Sequence, residues 1–433
     1  MIKTLNTKSK KFKNQLNHCL NSRKKYSASK SMLVKKIVYD VKSKKDKSLI
    51  KYEKKFNNLK QLSKKSLSFS KKEIKGNIKK LDSKTKKSID LAYKRIVHFH
   101  KNQKFMNFTV SDKYKNKLSY RSRPLEKVGV YVPGGKASYP SSVLMNCIPA
   151  IIAGVREIYM TVPSLENKKV NPGVLYAATK CKVKKIYKVG GAQAIAGFAF
   201  GTETINKVDK IFGPGNEYVS LAKKEVFGET GIDMFAGPSE VTIIADKFSN
   251  PEWIAADLIA QAEHDEMSQS ILVTSSKDVI SKVNKFIGTQ LKFLPRKNIV
   301  SSSFKKFGIF ILAENNREIS KIVNEIAPEH LEIYTKKPEK FLKLINNAGS
   351  IFLGAYSPEA MGDYLAGPNH VLPTSGTAKF SSGLSVYDFL KRQSVIKITK
   401  TGIESLGASV INLSNYENLH GHANSVKLRI KKR

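Results

Sequence analysis

The chain has 433 residues, of which 41% are hydrophobic and 26% charged. That is enough for two core-bearing domains and unlike collagen, coiled coil or a disordered chain. Its three cysteines, Cys19, Cys147 and Cys181, form no CxxC pair and are too few for a disulfide framework, so a reducing, cytoplasmic setting is expected. The formal net charge of +42 would attract nucleic acid or anionic lipid, yet no zinc-finger, recognition-helix or aromatic RNA-binding pattern accompanies it, and nucleic acid is not expected as a partner.

Residues 1–30 form a basic segment without the apolar core of a secretory signal. Residues 1–120 hold 36 of the basic and only 7 of the acidic side chains. Within that stretch Leu33, Ile37, Val41, Leu49, Tyr52 and Phe56 recur at helical spacings, so the intervening lysines read as solvated helix faces. The longest nearly apolar run, Val143 to Val155, falls short of the roughly 20 residues that span a bilayer. No membrane partner is expected.

From about Arg121 the pattern alternates. VGVYVPGG reads as a strand and turn, SSVLMNCIPAIIAGV as a helix and EIYMTVPS as a second strand; KKIYKVGGAQAIAGFAFG and VDKIFGPGNEYVSLAKKEVFG repeat the plan. Such βα repeats predict a parallel sheet covered by helices. A second unit begins near residue 239 with VTIIAD, followed by a helix at Pro251 capped by Asn250. Its sheet continues through ILVTSS, FGIFILA, HLEIYT and SIFLGA. From about Ser385 a helical VYDFLKR is followed by strand-like pieces and a basic tail.

The expected fold is therefore α/β, with two Rossmann-like parallel-sheet units, a helical N-terminal region and a small C-terminal domain. The boundaries are a basic segment 1–30, a first α/β domain with its helical lead-in 31–238, a second α/β domain 239–384 and a C-terminal domain 385–433. Ligands are expected on turns after the strands. Three glycine turns, VPGGKA, VGGAQA and FGPGNEY, would let backbone amides approach a phosphate, although G-x-G-x-x-G is absent from the chain.

Chemistry concentrates in a few segments. In DLIAQAEHD, Gln261 and His264 fall on one face of a helix, with Asp257 one turn earlier, so an oxygen and an imidazole can converge on one ion. The alternative is a solvated helix face with a hydrogen-bonded histidine. Distant segments offer further ligands: Asp363 and His370 in SPEAMGDYLAGPNHVLPT, and Glu417, His420 and His422 in ENLHGHANSV. In APEHLEIY, Glu329 and His330 place a carboxylate beside an imidazole at a strand entrance, a pairing suited to proton transfer; a loop acid beside a surface histidine is the plain alternative.

The order and spacing of IDMFAGPSEVTIIAD, DLIAQAEHD, APEHLEIY, GDYLAGPNHVLPT and the terminal HANSV resemble the histidinol dehydrogenase family, from about residue 31 to the C-terminus. The resemblance implies oxidation of L-histidinol through the aldehyde to L-histidine, the end of histidine biosynthesis, with NAD and one zinc per subunit. It implies a metal held by Gln261, His264, Asp363 and His422. Substrate contacts would come from Ser239, Gln261, His264, His330, Asp363, His370, Glu417 and His422, and NAD contacts from Tyr131, Gln193 and Asn216. His330 would be the base and Glu329 the group that activates water. His370, Glu417 and His422 would reach the site from a second subunit, which makes a homodimer the working form. A family of sulfonated-diol dehydrogenases resembles the same fold and metal site, and Glu417, His370 and His422 favour histidinol over its substrate.

Overall fold

A computed structural model describes residues 2–23, 28–57, 63–134, 139–164, 170–235 and 237–430. Two parallel sheets and a small antiparallel one account for the strands among them.

The first sheet has five strands in the spatial order Lys185–Tyr187, Glu157–Thr161, Lys127–Tyr131, Lys210–Phe212 and Gly231–Ile232, all parallel. Alternate residues feed opposite faces, as period two demands. Val128, Val130, Ile158 and Met160 pack under helices Ser83–His100, Pro140–Ala153 and Pro172–Lys180. Tyr131, Tyr159 and Ile211 pack on the other face with helices Ala28–Lys44, Asp46–Asn57, Gly191–Phe200 and Glu217–Val226. The lysine-rich lead-in thus buries Val34, Ile37, Val41, Leu49 and Tyr52 in this core and leaves Lys35, Lys36, Lys42, Lys44 and Lys47 in solvent. Phe56, expected on the same buried face, is exposed and stacks on Tyr52 instead.

The second sheet has six parallel strands in the order Lys3–Asn6, Ile309–Leu312, Gln269–Thr274, Glu240–Ala245, His330–Tyr334 and Ser350–Leu353. Its edge corrects the expected boundaries. Lys3–Asn6 pairs with Ile309–Leu312, and helix Phe12–Asn21 buries Leu16 beneath it, so part of the basic segment 1–30 is built into the second unit. An edge strand with one buried residue, Leu5, carries too short an apolar pattern to be read from sequence.

The antiparallel sheet joins Phe108–Ser111, Lys117–Pro124 and Leu390–Lys397, so the C-terminal unit draws on residues far upstream of 385. Here the expected helix VYDFLKR is a 3-10 turn, Val386–Phe389, running into a strand. Strand Leu390–Lys397 is a strand-like piece of the kind expected in this region, and helices Lys400–Tyr416 and His420–Ile430 follow it. Ser385 and Asp388 form a capping box that starts the short turn, and pairing with Lys117–Pro124 supplies the ladder that overrides its helical pattern.

Candidate active site

Glu329 and His330 stand where the chain enters strand His330–Tyr334. Two neighbours on a straight strand would face opposite ways; Glu329 instead lies in a bend just before the strand, and both side chains turn to the Glu240 main chain. The Glu240 N–H donates to Glu329 Oε2 at 2.9 Å, and His330 Nδ1 lies 3.1 Å from the Glu240 carbonyl oxygen. A carbonyl only accepts, so Nδ1 carries the proton. His330 Nε2 is buried without a partner and has a free lone pair.

Burial pushes the His330 imidazole down to about 4, which keeps it neutral near pH 7. Burial, with the Glu240 charge behind it, pushes the Glu329 carboxyl well above its ordinary range. An uncharged base and a carboxyl with raised proton affinity therefore share one entrance, their nearest atoms 3.8 Å apart.

Beside them lies the cluster expected from DLIAQAEHD and SPEAMGD. Helix Pro251–Ala262 carries buried Gln261 near its end. It stops at Ala262, so His264 lies in the bend beyond, tethered by its N–H to the Gln261 carbonyl at 3.3 Å, rather than one turn up a shared face. Helix Glu359–Tyr364 presents Asp363, whose Oδ2 is 3.9 Å from His264 Nε2. His370 Nδ1 donates to the Asp363 carbonyl at 3.0 Å, and burial pushes its imidazole down. The ligand atoms of His264, Glu359 and Asp363 all lie within 4.8 Å of one another. Two atoms on a tetrahedral zinc with bonds near 2.0–2.1 Å would be about 3.3 Å apart, so this donor set fits such an ion with small adjustments.

Glu359 was not among the residues expected here. A carboxylate accepts, so the Gln261 amide is assigned with its nitrogen toward Glu359, where it donates to Oε1 at 2.6 Å and Oε2 at 3.2 Å; Glu359 Oε1 lies 3.5 Å from His330 Nδ1. Its own N–H donates to Glu332 Oε1 at 2.7 Å. The helical i, i+4 relation of Glu359 to Asp363 was the available signal. Asp257 does not join the cluster; it pairs with Glu332, and burial pushes it up to about 6.

Tyr131, Gln193 and Asn216 come from the carboxyl edge of the first sheet, as expected of the glycine turns. The Gly191 N–H donates to the Tyr131 hydroxyl at 3.2 Å. Gly213, at φ +108°, passes so close to Tyr131 that an added Cβ would sit 2.1 Å from the Tyr131 carbonyl oxygen. Asn216 caps helix Glu217–Val226. Gln193 is buried and donates to Glu53 Oε1 at 2.7 Å, and the Gly190 N–H donates to the same oxygen at 3.0 Å. Glu53, in the lysine-rich lead-in, was missed. Close backbone approach at the two turns around Gly191 and Gly213 is the kind of cradle a dinucleotide takes; residues 135–137 of VPGGKA lie outside the described residues.

The second sheet departs from the expected placement. Ser239, Glu240, Glu329 and His330 lie at the amino ends of their strands, and Gln261 and His264 at the far end of the intervening helix, which returns the chain to that same edge. Within one chain Glu417 and His422 do not join the cluster; both are exposed in the C-terminal unit.

The fold and site define an α/β enzyme in which a neutral buried imidazole stands beside a cluster of one imidazole and two carboxylates suited to a cation. A family model described as histidinol dehydrogenase matches residues 20–430. The chain is 54% identical over 434 residues to the histidinol dehydrogenase of Pelagibacter ubique, covering all of both chains. It is 48% identical over 398 residues to that of Clostridium acetobutylicum, covering 92% of each. The crystal structure of histidinol dehydrogenase from Elizabethkingia anophelis matches with a TM-score of 0.92 at 37% identity, over 99% of this chain and 98% of that one. The chain belongs to the histidinol dehydrogenase family.

Proposed function

We propose that the protein oxidises L-histidinol through L-histidinaldehyde to L-histidine with NAD, as a zinc-containing cytoplasmic homodimer. The observation that carries this reading is the free, buried Nε2 of a neutral His330 beside the His264, Glu359 and Asp363 donor set, with the Gln261 amide against Glu359. Alcohol oxidation needs a base for the hydroxyl proton as hydride leaves carbon. His330 Nε2 takes that proton, with Nδ1 held on Glu240 throughout. Glu329 then deprotonates the water that adds to the aldehyde, the alkoxide so formed regains the proton held on His330 Nε2, and the neutral ring takes the hydrate's proton in the second oxidation. Tyr131, Gln193 and Asn216 would hold NAD, which would supply the hydride acceptor for both oxidations.

Gln261, His264, Asp363 and His422 of the partner subunit would hold zinc, which when bound orders the substrate's imidazole and amino nitrogens. Ser239, His370 and Glu417 complete the substrate contacts. A thiol route is disfavoured by position: Cys147 and Cys181 are buried in the first core and Cys19 is on the N-terminal helix. The second copy is supported by an unpartnered apolar face on helix Lys400–Tyr416, where Leu406, Val410, Leu413 and Tyr416 are exposed, Tyr416 by 87%, next to Glu417 and His422. Among the described residues no helix is long and apolar enough to cross a membrane.

Purified protein given histidinol and NAD should yield histidine with two equivalents of NADH. A sulfonated diol oxidised in preference to histidinol would overturn the substrate assignment.

A further inference from the structure

Arg23 belongs to the segment the sequence leaves unassigned, yet its side chain is only 2% exposed and reaches the active-site strands. Nη1 donates to Glu240 Oε2 at 2.7 Å and to Gln269 Oε1 at 3.1 Å. Nε donates to the Met267 carbonyl at 3.0 Å, and Nη2 to the carbonyls of Pro238 and Ser239. One guanidinium thus ties together the entrances of two adjacent strands, Glu240–Ala245 and Gln269–Thr274. The other Glu240 oxygen accepts from the Ser375 N–H at 3.0 Å, which ties the same carboxylate to a third segment.

The Glu240 main chain is what Glu329 and His330 hold on to. We propose that Arg23 is a positioning residue for this pair: by clamping residues 238–240 it sets where the Glu240 N–H and carbonyl stand, and through them the directions of the Glu329 carboxyl and the His330 ring. The clamp also covers Ser239, whose carbonyl Arg23 holds. A planar fork with several donors serves these separated acceptors, whereas a lysine ammonium would satisfy the charge of Glu240 and lose most of the carbonyls. This inference rests on His330 being the base.

The test is single-turnover NADH formation from histidinol by Arg23→Lys and by the double variant Arg23→Met/Glu240→Met, with His330→Ala in parallel. The double variant removes both buried charges together, which spares the fold an unpaired ion. A purely structural role lowers the amplitude, the fraction of sites that react, and leaves the rate constant unchanged. A positioning role lowers the rate constant, expected here by roughly 10- to 100-fold, in whichever variant folds, with KM for histidinol little altered. An unchanged rate constant in a folded variant, whether or not the amplitude falls, overturns the proposal. Activity retained by His330→Ala instead overturns the assignment of the base and is recognised separately.

Discussion

The ring of His330 is oriented by Glu240, 90 positions earlier in the chain: Nδ1 stands 3.1 Å from the Glu240 carbonyl oxygen, and that bond decides which nitrogen is basic. The free Nε2 is the consequence. Replacing the ring by His330→Ala should slow the oxidation of both histidinol and histidinaldehyde by roughly 10² to 10⁴, the usual loss for a general base. Glu329→Gln should impair the aldehyde step more than the first hydride transfer. Single-turnover NADH formation from each substrate separates the two; equal losses in Glu329→Gln would mean that Glu329 serves only to orient His330.

The pH dependence follows from burial. His330 is pushed down to about 4 in the folded chain against about 6.5 when unfolded, so between these values the unfolded state binds more protons and stability rises with pH. The stabilising contribution is complete above about pH 6.5 and is lost as pH falls towards 4. His330→Gln should flatten the dependence of Tm on pH across that window. Parallel curves for the two proteins would contradict the shift. Since His330 is already neutral, any fall of kcat/KM between pH 7 and 5 is expected to persist in proteins with altered ring environments and to belong to another group.

Metal removal tests the cluster directly. Chelation should abolish histidinol oxidation, and added zinc should restore it. His264→Asn should retain less metal after dialysis than the parent, read by elemental analysis. Full activity in a preparation free of metal would rule zinc out.

The proposed sharing of the site between subunits predicts complementation. His330→Ala and His422→Ala chains, each inactive alone, should regain part of the activity when exchanged into mixed dimers, because one of the two sites is then intact. Proven heterodimers without activity would place His422 outside the site.

The glycine turns can be tested through Gly213. Its φ of +108° and the 2.1 Å approach of a Cβ to the Tyr131 carbonyl leave no room for a side chain, so Gly213→Ala should destabilise the fold by about 1–3 kcal/mol. It should also raise the KM for NAD. A substitution that lowers Tm without touching the KM for NAD would argue that the turn is structural only.

The residue patterns alone carried the α/β class and the parallel strands, and they named His264 and Asp363, which the fold brings together. Val128 and Val130 alternate with Gly129 and Tyr131 because one face of a strand meets one core, and Asn250 before Pro251 announces a helix by local capping chemistry. Such signals are local, as are the motifs around Gln261, His264, Glu329, His330 and Asp363. What tertiary structure decided lies in partners distant along the chain. Lys3–Asn6 is a strand only because Ile309–Leu312 offers an edge, and the LKR that ends VYDFLKR is extended because Lys117–Pro124 pairs with it. Glu53, Glu359 and Arg23 are ordinary charged residues in sequence. Their roles arise from burial against Gln193, Gln261 and Glu240 respectively, since a charge removed from water must find its hydrogen bonds within the fold, and only the packed chain determines where those bonds are.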